Sequence, residues 1–228
     1  MNCEVAIRRS LPCRNGVRLV ALVLVGLFGC KDKPAADPPA PAVPAAPVPT
    51  VLEKAASAGT IEAWDAAAKA LDATVATCTA TPPCREAARD AVTAHGQALK
   101  LEFGRDPGSP LPPVPLPARA AALVAACDAF AKLADTSDPE LPSIELIAAR
   151  QQASYGWLEL AIPRYEEILR EHRDSEAAGI VVPALLDALR RMGRGAELRR
   201  WVDSLSADTK FVSAHPDLGD LLASLRGL

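Results

Sequence analysis

Apolar residues recur at helical spacing through most of the chain after residue 50. The first such segment has apolar side chains at i, i+3, i+4 and i+7, which form one stripe along a helix. This stripe consists of Trp64, Ala67, Ala68, Leu71 and Val75. Alanine and leucine are abundant and aromatic residues make up only 4% of the chain. This composition favours closely packed helices over a β-sandwich, so we predict an all-α domain over residues 51–228.

Capping residues, prolines and glycines divide this pattern into eight predicted helices. The short connections between them predict antiparallel helical hairpins, arranged either as a solenoid or as a bundle. We expect Pro163 to lie in the first turn of the fifth helix, and Pro183 to kink the sixth helix or mark its start. The predicted helices cover approximately residues 61–77, 82–103, 117–133, 138–155, 158–172, 175–192, 196–205 and 216–228.

Residues 1–29 have the organisation of an export signal. A basic segment precedes residues 19–28, which are apolar or glycine throughout; this order is typical of secretory signal peptides. Ten residues span about 15 Å as a helix, half the thickness of the hydrocarbon core, so a stable transmembrane helix is not expected. The basic residues are Arg8, Arg9, Arg14 and Arg18.

The four residues Leu27-Phe28-Gly29-Cys30 resemble the lipobox of bacterial lipoproteins. The resemblance implies that Cys30 is lipidated on its sulfur, that residues 1–29 are removed, and that the new amino terminus is acylated. Two or more acyl chains give stable anchoring. We expect a location in the cell envelope, facing the periplasm, with the outer membrane favoured over the inner. A plain secretory signal with a chance cysteine and an uncleaved membrane anchor are the alternatives.

A spacer is predicted between the lipid anchor and the helices. Residues 34–49 contain seven prolines in sixteen positions, so this stretch cannot form helix or sheet interior. It is expected to be a disordered, semi-rigid tether of polyproline II character, about 50 Å long if extended. The domains predicted are therefore a removed signal (1–29), a lipid-anchored Pro/Ala-rich linker (30–50) and a helical domain (51–228) with parts 51–135 and 139–228.

Residues 142–205 resemble tetratricopeptide repeats (TPR), helix–turn–helix units of about 34 residues, and the first match covers residues 153–178. Gly156 matches the small residue between the two helices of that family, Ala161 the small residue at their closest approach, and Tyr165 the family's aromatic. In the following unit Leu198 and Val202 occupy the equivalent apolar places. The resemblance implies a TPR-like α-solenoid; an unrelated helical bundle with one similar hairpin remains the alternative.

Cysteine spacing predicts one disulfide. Cys78 ends the first predicted helix and Cys84 begins the second, and five intervening residues allow the two Cα atoms to approach within bonding range. An exported protein meets an oxidising environment, in which such a bond persists. Cys127 lies on an apolar stripe and is expected to be a buried free thiol. A three-cysteine metal site is the alternative; we predict no metal and no cofactor.

No catalytic constellation is recognisable. His95 falls on an apolar stripe, His172 ends a helix and His215 precedes a proline in a turn. Glu166 and Glu167 are adjacent and face different directions on a helix, so they do not form an acid/base pair. Glycine-rich phosphate loops and nucleophile motifs are also missing from the sequence. We therefore expect no enzymatic activity.

One basic cluster spans a predicted helix–turn–helix. The arginines are interpreted either as a solvated face or as a docking patch for an acidic protein segment, anionic lipid or cell-wall polymer. After removal of residues 1–29 the chain has 21 basic and 27 acidic residues, and an exported acidic protein is not expected to bind nucleic acid. Trp157 and Trp201 flank the cluster; we expect them in the core, with a position in a groove as the alternative. The cluster consists of Arg190, Arg191, Arg194, Arg199 and Arg200.

Two functions fit these features. The first is a lipid-anchored helical-repeat scaffold or adaptor that binds an envelope protein or peptide in a concave groove. The second is a structural envelope lipoprotein without a groove, which binds cell wall or lipid. A third, an accessory or metal-storage module that uses Cys127, has the least support. The sequence leaves the partner and the oligomeric state open.

Overall fold

Ten helices form the part of the chain that the structure, a computed structural model, describes: residues 50–103 and 108–226. They belong to one compact unit, Pro47–Leu228. The predicted signal peptide, Cys30 and the tether up to residue 49 lie outside the described residues. In chain order the helices are α1 (Val51–Ala58), α2 (Ile61–Val75), α3 (Pro82–Phe103), α4 (Ala118–Leu133), α5 (Leu141–Ser154), α6 (Leu158–Glu171), α7 (Glu176–Arg191), α8 (Gly195–Ala207), α9 (Thr209–Ala214) and α10 (Asp217–Arg226).

The all-α prediction is confirmed, and two short helices are additional to it. Helix α1 begins with a capping box, in which Thr50 Oγ1 accepts from the Glu53 amide at 3.1 Å and the Glu53 carboxylate accepts from the Thr50 amide at 2.5 Å. Helix α9 begins where Asp208 Oδ1 accepts from the Phe211 amide at 3.0 Å. Each cap satisfies amides that have no partner inside the helix.

Consecutive helices from α1 to α9 pack in pairs, α10 packs against α8, and α5 also packs directly against α7. The apolar side chains form three clusters along the chain. One lies around Trp64 between α1, α2 and α3; the second surrounds Phe130 between α3, α4 and α5. The largest surrounds Tyr165, Leu185 and Leu205 and extends from α5 to α10. The apolar core therefore consists of three clusters in succession along the chain, with alanine at many of the buried positions.

Ion pairs of one arginine join helices α2, α3 and α4. Arg119 at the start of α4 donates to both carboxylate oxygens of Asp65 on α2, at 3.0 and 2.7 Å, and lies 2.7 Å from Glu102 on α3. The hydrogen bond from Arg119 lowers the pKa of the Asp65 carboxyl. A guanidinium is suited to this role because its planar fork binds a carboxylate at two points.

The prediction for Pro163 is wrong, and of the two alternatives for Pro183 the structure excludes the helix start. Pro163 is the sixth residue of α6, beyond its first turn, because that helix already begins at Leu158 after the Gly156 turn. Pro183 lies inside α7, which begins at Glu176, so it does not mark the helix start. Since proline has no amide hydrogen, each leaves one carbonyl of the preceding turn without its usual helical donor.

The expectation that Trp157 lies in the core is wrong. Its side chain is 36% exposed, because it caps the start of α6 and its indole nitrogen donates to the Val114 carbonyl at 2.8 Å. Trp201 is partly buried, and its indole nitrogen donates to the Glu166 carboxylate at 3.0 Å. Among the described residues, no helix is long and apolar enough to cross a bilayer.

Candidate functional site

A groove of about 190 Å³ lies along the open side of α5 and α7. The carboxyl-terminal halves of both helices line it, so the two helices run in the same direction here. Tyr165 of α6, which is 1% exposed, lies beneath the groove together with small alanine side chains. Arg150 on α5 and Asp187 on α7 supply opposite charges at its rim. This arrangement offers an apolar floor with polar edges.

Two exposed isoleucines extend this face beyond the groove. Ile147 precedes Arg150 by three residues and Ile180 precedes Ala184 by four, so each lies on the groove side of its helix. Their side chains are 37% and 47% exposed. A single exposed apolar residue needs no explanation, but two on neighbouring helices next to one groove form a shared apolar surface. We call Ile147, Arg150, Ile180, Ala184 and Asp187 the α5–α7 face.

A segment without helix closes one end of this face. We call residues 108–117 the strap. The Ser109 amide donates to the Ser154 carbonyl at 2.8 Å, and the Val114 amide donates to the Tyr155 carbonyl at 3.0 Å. Arg191 of α7 donates to the Ser109 hydroxyl at 2.6 Å and to the Ser109 carbonyl. The carbonyls of the last residue of α5 and of the residue after it, which have no partner inside the helix, are thus satisfied by the strap.

The predicted basic cluster is divided between internal and exposed positions. Arg191 is held by Ser109, as above. Arg194 makes a two-point contact with Glu197, at 2.7 and 2.5 Å, and approaches Glu159 at 4.0 Å. The hydrogen bond to Glu197 raises the pKa of Arg194. These two arginines therefore organise the α7–α8 turn.

The other three arginines of the cluster face solvent. Arg190 pairs with Asp187 at 2.6 Å, and Arg200 lies 3.8 Å from Glu197; their side chains are 73% and 76% exposed. Arg199 is exposed and forms no ion pair with a described residue. Exposed ion pairs contribute little to stability. These side chains are therefore free to contact a partner.

The residues assigned to repeat packing lie where two helical hairpins meet. Ala161, Tyr165 and Val202 are at most 1% exposed, and Leu198 packs against the same apolar cluster. Gly156 occupies the α5–α6 turn with a φ of +83°, a left-handed conformation that favours glycine. These five residues lie in the α5–α6 turn, in α6 and in α8.

The predicted disulfide is confirmed: Cys78 and Cys84 are bonded, with their Cα atoms 5.7 Å apart. Cys127 is a free, buried cysteine, 1% exposed, and burial raises the pKa of its thiol to about 12. A neutral buried thiol is unreactive at physiological pH. In the described part of the chain, no three histidine, cysteine or carboxylate side chains are grouped as a metal site would require.

Two of the three histidines occupy packing positions. His95 is 9% exposed, and its Nε2 lies 2.9 Å from Asp72. The imidazole ring of His215 lies against α7 at Gly179, where a Cβ would come within 2.6 Å of the ring. The same ring packs on Phe211, and the two ring centroids are 4.6 Å apart. The absence of a side chain at Gly179 thus makes room for this imidazole.

One polar cluster was not predicted from the sequence. Glu145 on α5 is half-buried, and desolvation followed by the charge of Glu167 raises its pKa to about 7. Nearby, Arg164 of α6 donates to Asp128 at 2.7 Å and to Gln152 at 3.1 Å. No motif marks these residues, because they come from three helices. In the sequence, the only indication that these polar side chains are partly buried is that they lie on helical stripes of otherwise apolar residues.

A larger cleft of about 790 Å³ lies at the opposite ends of α5 and α7. Its charged side chains largely pair with each other: Lys210 lies 2.6 Å from Asp174, and Arg173 lies 3.2 Å from Asp208. It lacks the exposed apolar anchors of the α5–α7 face, which is therefore the better candidate for a binding site.

Comparison with known proteins found no match: no family model, curated protein or solved structure is significantly similar to this chain. The candidate site therefore depends on the geometry and chemistry of the residues themselves.

Proposed function

We propose that this protein is a lipid-anchored, exported helical scaffold that binds an extended segment of another cell-envelope protein on its α5–α7 face. The observation that carries the proposal is the pair of exposed isoleucines, Ile147 and Ile180, beside a groove with charged rims. Apolar anchors between polar edges are the usual anatomy of a protein-binding surface.

The anchoring part of the proposal comes from the amino-terminal sequence. Lipidation at Cys30 would attach the chain to a membrane, and the Pro/Ala-rich residues up to 50 would hold the helices away from it. We place the protein in the envelope, facing the periplasm, and favour the outer membrane. We infer binding rather than catalysis, because His95 and His215 are in packing contacts and Cys127 is a neutral buried thiol.

The proposal is tested by capture of partners with the full chain from envelope membranes. The Ile147→Asp/Ile180→Asp variant should lose a partner that the native protein retains, because carboxylates cannot be buried in an apolar contact without cost. Leu101→Asp is the matched control, since Leu101 is 48% exposed on α3, away from this face. Identical partner sets for native protein and the double variant would contradict the proposal.

A further inference from the structure

The Cys78–Cys84 disulfide joins the end of one helix to the start of the next. Cys78 follows Val75, the last residue of α2, by three residues, and its amide donates to the Val75 carbonyl at 3.0 Å. Cys84 is the third residue of α3, where the Arg85 amide donates to the Thr81 carbonyl at 3.0 Å. One cysteine therefore lies at a helix C-terminus and the other in the first turn of a helix.

The disulfide lies in an exposed part of the molecule. Both cysteines are partly exposed, and all of the residues between them, 79–83, are exposed. The free cysteine of the described chain, Cys127, is by contrast only 1% exposed. A thiolate from solution can thus reach the disulfide without unfolding of the helices, which thiol–disulfide exchange requires.

The α2–α3 hairpin has other contacts that hold it together. Trp64 of α2 packs in one apolar cluster with Ala94 and Ala98 of α3, and His95 Nε2 lies 2.9 Å from Asp72. The disulfide closes a loop with a sequence separation of only six, so it restricts the unfolded chain less than a disulfide across a long loop does. We therefore expect the two cysteines to stay close together after reduction, so that the bond can form again.

The two helix ends make the cysteines unequal as leaving groups. Pro82 and Pro83 have no amide hydrogen, so the first amide hydrogen of α3 belongs to Cys84 itself. The amides at a helix N-terminus stabilise an anion, whereas the carbonyls at a helix C-terminus destabilise one. A thiolate on Cys84 is therefore more stable than a thiolate on Cys78. In exchange, the sulfur that gives the more stable thiolate leaves faster.

Nearby charged side chains do not reverse this difference. Acidic groups outnumber basic groups around the first turns of α3, which disfavours a thiolate on either cysteine. Because the two sulfurs are bonded to each other, these charges act on both almost equally, whereas the effect of a helix terminus falls off within one turn. The charged side chains that line the cleft beside this part of α3 are Arg85, Arg89, Glu86, Asp135, Asp138 and Glu140.

We propose that Cys78–Cys84 is a thiol–disulfide exchange site that takes two electrons from a dithiol, with Cys78 as the attacked residue. One thiolate of the dithiol attacks Cys78 Sγ, the bond to Cys84 breaks, and its electron pair leaves on Cys84 as a thiolate. The second thiolate of the dithiol then attacks the substrate sulfur of this mixed disulfide, which closes the substrate disulfide and releases Cys78. The dithiol is oxidised, the protein disulfide is reduced by the same two electrons, and both cysteines regain protons from solvent.

This inference rests on the exported location in the proposed function, and it does not rest on the α5–α7 face. In an oxidising compartment the disulfide persists, so the protein would meet a reduced substrate in the form that accepts electrons.

The experiment treats the full mature protein in detergent micelles with limiting glutathione, a monothiol that forms the mixed disulfide. Acid quenching, N-ethylmaleimide labelling and peptide mass analysis then locate the adduct. We expect glutathione on Cys78 and maleimide on Cys84 in about three- to tenfold excess over the reverse pattern. Dithiothreitol should reduce the bond in the folded protein at a rate comparable to that in urea, and Cys127 should stay unlabelled as long as the core is intact.

The Thr81→Asp variant tests the role assigned to the helix N-terminus. A carboxylate at this position disfavours a second negative charge in the first turn of α3, so the preference for glutathione on Cys78 should fall. Ser57→Asp, an exposed change on α1, is the charge-matched control and should leave the preference unchanged. Circular dichroism shows whether each variant retains its helices.

A bond that dithiothreitol reduces far more slowly in the folded protein than in urea, or only as Cys127 becomes labelled, would overturn the inference and leave a structural crosslink. Glutathione mainly on Cys84 would overturn the assignment of Cys78. Exchange at Cys78 in a chain that captures no envelope partner through the α5–α7 face would support this inference and contradict the proposed function, so the two fail separately.

Discussion

Gly156 lies in backbone contact with Pro110: a Cβ at position 156 would come within 2.0 Å of the Pro110 carbonyl oxygen. The contact places the strap on the α5–α6 turn, next to the end of the groove. Gly156 also has a φ of +83°. This one residue therefore meets two requirements, a left-handed turn and a close approach of another chain segment.

Gly156→Ala is expected to destabilise the fold by about 2–3 kcal/mol, because the new methyl group must displace the strap backbone as well as adopt a left-handed φ. Gly193→Ala is a matched control. Gly193 also has a positive φ, +68°, but its Cβ would meet nothing within 4 Å. The control should lose only about 1 kcal/mol. Urea unfolding measures both variants, and equal losses would contradict the role assigned to the strap contact.

The Cys78–Cys84 bond is expected to contribute modestly to stability. It closes a loop with a sequence separation of six, for which the chain-entropy model gives about 2 kcal/mol. Reduction should therefore lower the urea midpoint of the native protein, but not that of Cys78→Ala/Cys84→Ala. Cys127→Ala serves as the control that retains the bond. A midpoint insensitive to reductant in the native protein would contradict the prediction.

Glu145 gives a prediction about pH. Its folded-state pKa of about 7 lies above the ordinary 4.5, so between these values the native state binds more protons than the unfolded chain. Its contribution to stability is thus fully retained below pH 4.5 and is lost as pH rises through about 7. Glu145→Gln should therefore stabilise the protein at pH 8 by on the order of 1 kcal/mol, after discounting for its partial exposure.

The same substitution should have little effect at pH 4, where Glu145 is protonated in both states. Glu171→Gln, an exposed change on α6, should alter stability at neither pH. Unfolding midpoints at the two pH values check this. If Glu145→Gln instead destabilises the protein at pH 8, the prediction is contradicted, because the ionised carboxylate would then be stabilised by its surroundings in the folded state.

Mature protein purified from membranes is expected to begin at Cys30 and to have the mass of a di- or triacylated chain. The physical basis is the apolar segment before Cys30, too short to span a bilayer, together with the lipobox resemblance. Intact mass and detergent partitioning measure this, and Cys30→Ala should abolish the acylated species. An unacylated mature chain would contradict the lipoprotein assignment and leave the helical domain unaffected.

The sequence predicted the long helices well because their stops and caps are local. Thr60 caps α2, and Ser175 accepts from the Ala178 amide at the start of α7. The capping box of Thr50 and Glu53 is an equally local signal. The eight-residue helix that it begins, directly after the proline tract, was nevertheless not among the predicted helices. The six-residue α9 is too short for a periodic pattern.

The candidate site was predictable only in part. The turn at Gly156 follows from the local sequence, and the packing positions of Ala161 and Tyr165 were implied by the resemblance to a tetratricopeptide repeat. The strap does not, because its proline-rich residues have no periodicity and are positioned by distant partners, Trp157 and Arg191. Whether a helix face is covered depends on packing between helices, so the exposure of Ile147 and Ile180 required the structure.

Site-specific photocrosslinking in living cells tests the central claim most directly. A photoreactive phenylalanine analogue placed at Ile147 or Ile180 should give the same adduct with one envelope protein, and the analogue at Leu101, an equally exposed position on α3, should not give it. The adduct at Ile147 should disappear when Ile180→Asp is introduced into the same chain. No adduct at either isoleucine, or an identical adduct at Leu101, would contradict the assignment of the α5–α7 face as the binding site.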